Sequence, residues 1–130
     1  MDAVSKQKQL KKTLEALAQS VVVVEGVHDQ KALAKAGVKA ETVAVGANRL
    51  EDAIKKIGAK ALGKRVVLLT DFDAEGKRKE KELREALHSH GVRVDAITRR
   101  KVKRLFPIST IEQLPYALEK LEEELAGSSQ

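Results

Sequence analysis

Two short runs of consecutive aliphatic residues constrain the fold of this chain more than any other feature. Residues 21–24 are four valines, and residues 66–69 read Val-Val-Leu-Leu. A run with no polar alternation is typical of a central strand that is buried on both faces of a parallel sheet. Stretches with helical apolar spacing separate the runs, so the order of elements predicts an α/β layer fold with a mainly parallel sheet.

Four strands and five helices are predicted from this pattern. The strands are expected at residues 21–25, 41–45, 65–70 and 92–98. Helices are expected at 3–19, at 28–36 with Gly37 ending the helix, after Asn48 as an N-cap, at 75–90, and in a last helix with Pro115 in its first turn. The basic stretch 99–108 is expected to be irregular.

Length and composition limit the class of protein. A chain of 130 residues is one domain's worth, and 42% hydrophobic residues with three aromatic rings predict one aliphatic core. There is no cysteine, which excludes disulfides and thiolate metal sites. No apolar run approaches the roughly 20 residues that a membrane span needs, so we expect no membrane association and a cytoplasmic protein.

Acidic residues follow two of the predicted strands. Glu25 comes directly after the first valine run, and Asp71 and Asp73 come after the third strand. The carboxyl ends of parallel strands share one edge of a sheet, and residues i and i+2 of extended backbone point the same way. Carboxylates gathered without His or Cys favour Mg²⁺ or Mn²⁺ as the neutralising ion. The sequence therefore predicts a metal site at this edge.

Helix capping is the alternative explanation for these acids. Asp29 begins the second helix and fits either an N-terminal cap or a metal ligand, and both readings stay open. Capping takes one side chain per helix, so it does not account for Glu25, Asp71 and Asp73 together. Gly26 and Gly76 are expected to let a phosphate or metal approach the backbone closely.

Positive charge points to a polyanionic partner. The chain carries 25 basic and 19 acidic residues, a net charge of +6. Phosphate contacts are expected from two groups of side chains, which are Lys77 and Arg78 near the start of the fourth helix and the run Arg99, Arg100, Lys101, Lys103 and Arg104. The alternative is that the run is a solvated surface that happens to be basic.

The motifs VVVVEGVHD and VVLLTDFDAEG together resemble the Toprim domain. The family pattern is an apolar strand ending in Glu-Gly, followed by one ending in Asp-x-Asp-x-x-Gly, and both halves are intact here. The resemblance implies a three-layer, Rossmann-like domain over residues 1–130, with its core at about 20–100. An extra N-terminal helix at about 3–19 and a C-terminal basic segment and helix at about 99–126 complete it.

The resemblance also implies roles for the acidic residues. Glu25 would be the general acid/base or a metal ligand, and Asp71 and Asp73 would hold Mg²⁺. Asp29 matches an acidic residue that several members place four positions after the glutamate. Glu112, in the segment Thr110-Ile111-Glu112, matches a glutamate late in the domain.

The implied function is Mg²⁺-dependent phosphodiester chemistry on nucleic acid. Similarity to the Toprim ribonuclease that matures 5S rRNA favours RNA cleavage over action on DNA. That group has Pro between the aspartates, whereas Phe72 and the following Ala-Glu resemble the primase and topoisomerase type. Two alternatives therefore stay open: a non-catalytic nucleic-acid-binding module with protein partners in a larger assembly, and primase-like nucleotidyl transfer.

Overall fold

The valine-rich runs form the centre of a parallel sheet in the computed structural model, which describes residues 2–128. Strand β1 (Val21–Val24) lies between β2 (Glu41–Ala44) and β3 (Val66–Leu68). Both pairings are parallel, with Val21 opposite Glu41 on one side and Val66 on the other. All four valines of β1 are fully buried, which confirms the prediction of a central strand covered on both faces.

Helices cover both faces of the sheet and make three layers. Their bounds are α1 (Ala3–Ala18), α2 (Val27–Lys35), α3 (Leu50–Lys60), α4 (Ala74–Ser89), α5 (Ala96–Leu105), a 3₁₀ turn (Ile111–Gln113) and α6 (Leu114–Ser128). One core joins the Val22 face of the sheet to α1, α2, α5 and α6, and a second joins the Val21 face to α3 and α4. None of the helices in residues 2–128 is long and apolar enough to cross a membrane.

The predicted glycine-terminated end of α2 is confirmed. Gly37 has a φ of 80°, a backbone conformation that residues with a Cβ rarely adopt. The Val38 N–H then donates to the oxygen of Leu33 at 3.0 Å, which satisfies a carbonyl that the helix end leaves open. The chain reverses there and enters β2.

The prediction of a fourth strand at 92–98 is wrong, because the sheet of the described residues has three strands. Val94 makes only an isolated parallel bridge with Val66. Asp95 then accepts hydrogen bonds from the backbone N–H of Thr98 at 3.0 Å and from its hydroxyl at 2.6 Å. This cap starts α5 in the middle of an alternating apolar pattern that resembled a strand.

Two expectations about helix bounds are also wrong. The basic stretch expected to be irregular lies mostly in α5. The helix ends at Leu105, and Phe106 has extended backbone because the proline that follows disfavours helical backbone in the residue before it. Helix α3 begins after Arg49 rather than Asn48, and the Arg49 side chain makes no capping hydrogen bond. The placement of Pro115 in the first turn of α6 is confirmed.

Candidate metal and nucleic-acid site

Glu25 and Asp71 meet at the carboxyl edge of the sheet. Strand β1 ends one residue before Glu25, and the chain continues from β3 alongside it, with the Leu69 N–H donating to the oxygen of Val23 at 2.7 Å. This register brings the backbone N–H of Asp71 to 3.1 Å from Oε2 of Glu25. Strands β1 and β3 are neighbours in the sheet, and this pairing accounts for the meeting of these two residues.

The 3₁₀ turn holds the Asp71 carboxyl in place. Its Oδ1 accepts a hydrogen bond from the backbone N–H of Ile111 at 2.9 Å. Burial raises the pKa of Asp71 from 3.8 to about 6, and the negative charge of Glu25 adds to the rise although the Ile111 N–H opposes it. Asp71 is thus a partly buried carboxyl next to the negative charge of Glu25.

Lys79 supplies the cation nearest to this pair, and the sequence analysis did not identify it. Its Nζ lies 2.9 Å from Oε1 of Glu25. Partial burial opposes ionisation, but the Lys79 ammonium and the Asp71 N–H hold the pKa of Glu25 below its ordinary value. Its spacing from Gly76 could have identified it, because a residue three positions after Gly76 shares the helix face that packs on the strand ends.

Asp73 has a separate position as the N-cap of α4. Its Oδ1 accepts a hydrogen bond from the Gly76 N–H at 2.7 Å, and the residue is exposed. Within residues 2–128, no three His, Asp or Glu side chains converge closely enough to ligate one ion as they stand. The expected meeting of Asp73 with Asp71 and Glu25 is therefore not reached in this arrangement of side chains.

Asp29 caps the start of α2. Its Oδ2 accepts a hydrogen bond from the backbone N–H of Gly26 at 3.0 Å, and the residue is buried. Burial raises the pKa of Asp29, and the charges of Glu112 and Glu25 add to the rise. Asp29 therefore lies within electrostatic range of both Glu25 and Asp71, and Glu112 lies within range of Asp29, while a ligand role for Asp29 stays a prediction.

Gly76 serves packing rather than ligand access, contrary to expectation. A Cβ built there would overlap the backbone oxygen and carbonyl carbon of Asp71. The Thr70 hydroxyl also donates to the oxygen of Gly76 at 2.7 Å, so the start of α4 is held against the strand end. Gly26 differs, since the nearest atom to a Cβ there would be Asp29 Oδ2 at 4.0 Å, which leaves open space.

The comparisons with known proteins agree with this arrangement. A family model described as the Toprim domain matches residues 19–98, which contain the two strands, both motifs and the acidic pair. The chain belongs to the Toprim family. Membership indicates metal-dependent chemistry on nucleic acid, and Toprim domains generally bind Mg²⁺ through acidic residues.

Similar proteins occur in Thermococcus, Archaeoglobus and Aquifex species. A UPF0292 protein of Thermococcus gammatolerans is 36% identical over 87 residues, which cover 67% of this chain and 63% of the relative. One from Archaeoglobus fulgidus is 39% identical over 83 residues, covering 63% and 61%. The matched region thus spans less than two thirds of the length of these relatives. A solved structure, described as a putative protein from Aquifex aeolicus, superposes with a TM-score of 0.67 at 30% identity, covering 82% of this chain and 95% of that one.

The acidic residues of this Toprim domain fit Mg²⁺ by their chemistry. Glu25 and Asp71 offer hard carboxylate oxygens, and the sequence has no cysteine thiolate to favour a softer metal. Burial first, and then the negative charge of Glu25, raises the pKa of Asp71, while the Lys79 ammonium pairs with Glu25 and not with Asp71. A divalent cation would supply positive charge there, and a shift of the Lys79 ammonium away from Glu25 would open the position for it.

Arg99, one of the predicted phosphate-binding residues, is buried beneath the site. Its guanidinium donates hydrogen bonds at 2.9, 2.8 and 3.1 Å to the backbone oxygens of Leu68, Thr70 and Asp71. It also stacks on the Phe72 ring, with its central carbon 4.5 Å from the ring centroid. This arginine supports the segment that carries Asp71, so its guanidinium does not face solvent as a phosphate contact requires. Phe72 itself is buried against the helix layer.

The other predicted basic residues lie nearer the surface. Arg100, Lys103 and Arg104 are exposed on α5, and Lys101 is partly exposed. Lys103 donates to the oxygen of Ile108 at 2.8 Å. On α4, Lys77 is exposed, whereas the exposed Arg78 is paired along its own helix, at 2.6 Å with Glu75 and 3.0 Å with Glu82.

Proposed function

We propose that this Toprim chain is a Mg²⁺-dependent endoribonuclease, with Mn²⁺ as an alternative ion. The observation that carries the proposal is the meeting of Glu25 and Asp71 at the carboxyl edge of the sheet, where the Asp71 backbone N–H donates to Oε2 of Glu25 at 3.1 Å and burial raises the pKa of Asp71. Open parallel sheets bind their ligands at this edge. Perturbed carboxylates that share such an edge are a frequent mark of a reactive site.

Glu25 and Asp71, with Asp73 after a small movement of its side chain, would hold the metal, and Asp29 would support them. A bound Mg²⁺ polarises the phosphodiester and stabilises the charge that develops on it. Glu25 is ionised beside Lys79, and in the alternative role, in which it stays outside the ligands of the metal, its carboxylate would accept a proton from the attacking group. Arg99 holds the backbone of Asp71 rigid while this happens.

Basic side chains around the acidic pair would hold the nucleic-acid backbone. Lys77, Arg78 and Lys79 lie on the first turns of α4, next to the Asp73 cap. On α5, the exposed part of the basic run would add Arg100, Lys101, Lys103 and Arg104. Such contacts position a strand by charge and carry no sequence information themselves.

A second candidate function is a non-catalytic module that binds nucleic acid within a larger assembly. The specific observation that favours it is the separate position of Asp73, whose carboxylate caps α4 instead of joining the acidic pair. In that case phosphate binding would persist without turnover. The preference for RNA over DNA rests on the resemblance to the 5S rRNA maturase and is part of the endoribonuclease proposal alone.

Incubation of labelled structured RNA and DNA with the protein tests both candidates. We expect RNA to be cut in Mg²⁺ or Mn²⁺ and left intact in EDTA. An Asp71→Asn variant should not cut, while Glu85→Gln, which alters an exposed carboxylate elsewhere on α4, should cut at the wild-type rate. Binding of both nucleic acids without any cleavage would support the non-catalytic module and contradict the nuclease.

A further inference from the structure

A basic cleft opens between α1, α5 and α6, and neither Glu25 nor Asp71 lines it. It encloses about 680 Å³. Its charged lining has four cations and one acid, which are Lys6, Lys103, Arg104, Lys120 and Glu124. The floor is apolar, with Ile108 and Leu121 buried beneath it. A cleft with this excess of positive charge over an apolar floor is suited to an anionic ligand that also has flat apolar parts.

Tyr116 projects at the rim of this cleft. It is 66% exposed, whereas the two other aromatic residues of the chain, Phe72 and Phe106, are buried. The Nζ of Lys120 lies 5.4 Å from the centroid of the Tyr116 ring, and 3.9 Å from a carboxylate oxygen of Glu123. Core packing does not require a ring at this position, and the pairing of an exposed ring with a cation is the arrangement on which unpaired bases stack.

The floor of the cleft is connected to the acidic pair by a few residues of backbone. Ile108 lies in the floor, and the oxygen of the next residue, Ser109, accepts from the Phe72 N–H at 2.7 Å. Two residues further on, the Ile111 N–H donates to Oδ1 of Asp71 at 2.9 Å. A strand bound in the cleft would therefore rest on the same segment that positions Asp71.

We propose that this cleft binds single-stranded nucleic acid, with a base stacked on Tyr116 and phosphates held by Lys6, Arg104 and Lys120. The inference rests on the proposed function for its ligand class and adds the path by which a strand reaches the acidic pair. An acidic peptide would satisfy the cations but gives no reason for the exposed ring. A duplex would bring phosphates, but its stacked bases are closed to Tyr116.

The chain has one tyrosine and no tryptophan, so intrinsic fluorescence reports directly on this cleft. The experiment titrates wild-type protein in EDTA with single-stranded RNA and DNA oligonucleotides of about ten nucleotides, a length within the range that one binding domain covers. A duplex of the same length and polyglutamate are the controls. We expect both single strands to quench the tyrosine emission and both controls to leave it unchanged, while the relative affinities of the two strands separate RNA from DNA.

Substitutions then locate the binding energy, with binding followed by the fluorescence anisotropy of an end-labelled oligonucleotide, because the Tyr116 variants lose the intrinsic signal. Tyr116→Ala should weaken binding of the single strand about 5- to 150-fold, the range of one lost base–aromatic stack, and Tyr116→Phe should retain it. Lys120→Gln should lower the steepness of log K against log salt by roughly 0.7, and Lys55→Gln, an equal charge change on α3, should leave the slope at its wild-type value.

The proposal is overturned if saturating single strand leaves the emission unchanged, if Tyr116→Ala binds as wild type does, or if polyglutamate competes as well as the oligonucleotides. Its failure is distinct from failure of the nuclease proposal. RNA cleavage in Mg²⁺ with no effect of Tyr116→Ala on binding would leave the nuclease standing without the cleft. Quenching without any cleavage would leave the cleft standing without the nuclease.

Discussion

The Nζ of Lys79 lies 2.9 Å from Oε1 of Glu25, so an ammonium from α4 neutralises the glutamate at the end of the central strand. The pair connects the first helical turns after the Asp-x-Asp-x-x-Gly motif to the Glu-Gly motif. It also raises the pKa of Lys79, which stays charged at all physiological pH values. The Lys79 ammonium therefore occupies a carboxylate oxygen that Mg²⁺ would bind, and its removal should change the affinity for Mg²⁺.

Replacing Lys79 with Met should strengthen Mg²⁺ binding. The ion no longer competes with an ammonium for Glu25, and a partly exposed ion pair is worth up to about 1 kcal/mol, so the affinity should rise up to about fivefold. Titration calorimetry measures this directly. Lys77→Met is the matched control, because it removes an exposed lysine two positions away and should change the affinity little. Weaker Mg²⁺ binding by Lys79→Met would contradict the assignment of Lys79 as a competing cation.

Asp71 should make the protein less stable as pH rises from about 4 to about 6. Its folded pKa of about 6 lies above the ordinary value of 3.8, so the folded state binds the extra proton in this window. Stability from this group is therefore fully present below pH 3.8 and is lost above pH 6. The shift of about two units corresponds to about 3 kcal/mol, which exposure to solvent reduces to about 1–2 kcal/mol.

Urea unfolding of wild type and Asp71→Asn at pH 4 and pH 7 checks this expectation. The variant should gain stability over wild type at pH 7 and not at pH 4, because its neutral amide no longer repels Glu25. Asp52→Asn, on the exposed first turn of α3, controls for the loss of one negative charge. The same difference between variant and wild type at both pH values would mean that Asp71 titrates normally.

Much of the fold and half of the site follow from local pattern. The valine runs predict β1 and β3 because a parallel central strand needs apolar residues on both faces, and the acids that follow them predict Glu25 and Asp71 at one edge. Gly37 predicts the end of α2 because its backbone conformation excludes most other residues. These signals are contained within a few consecutive positions.

The remaining features depend on contacts between distant segments. Apolar and polar side chains alternate over residues 92–98 as they do in a strand. The hydrogen bonds that the Asp95 carboxylate accepts from Thr98 cap the start of α5 instead. Arg99 looks like its basic neighbours in the sequence, yet it is the one that turns inward to three carbonyls of the β3 end. Lys79 pairs with a residue 54 positions earlier (79 − 25), which no local pattern reports.

Gly76→Ala should destabilise the protein although Ala is the better helix former. Its Cβ would overlap the backbone of Asp71, and forced overpacking of this kind costs about 1–3 kcal/mol. Gly58→Ala is the control, since a Cβ there meets nothing within 4 Å and should add up to about 1 kcal/mol of helix stability. Thermal unfolding of both variants measures the contrast, and equal effects would show that α4 does not need close contact with Asp71.

Substitution of Arg99 and of Arg100 should distinguish a residue that supports the site from one that binds phosphate. Arg99→Gln removes buried charged hydrogen bonds and should cost about 2 kcal/mol or more of unfolding free energy. Arg100→Gln removes an exposed arginine, so it should leave stability within about 0.5 kcal/mol and weaken nucleic-acid binding instead. Urea unfolding and oligonucleotide binding on the same two proteins are the measurements. The reverse assignment, with Arg100 needed for folding, would contradict the structure.

The most direct test of the account is single-turnover cleavage of labelled RNA in Mg²⁺ by wild type and Glu25→Gln, with RNA affinity measured on the same samples. The glutamine keeps the shape of the side chain but cannot accept a proton and is a poorer metal ligand. The account predicts that Glu25→Gln binds RNA within about twofold of wild type and cuts it at least about a hundredfold more slowly, the lower end of what a positioned acid–base group contributes. Cleavage by Glu25→Gln at the wild-type rate would contradict the central role of the Glu25–Asp71 pair.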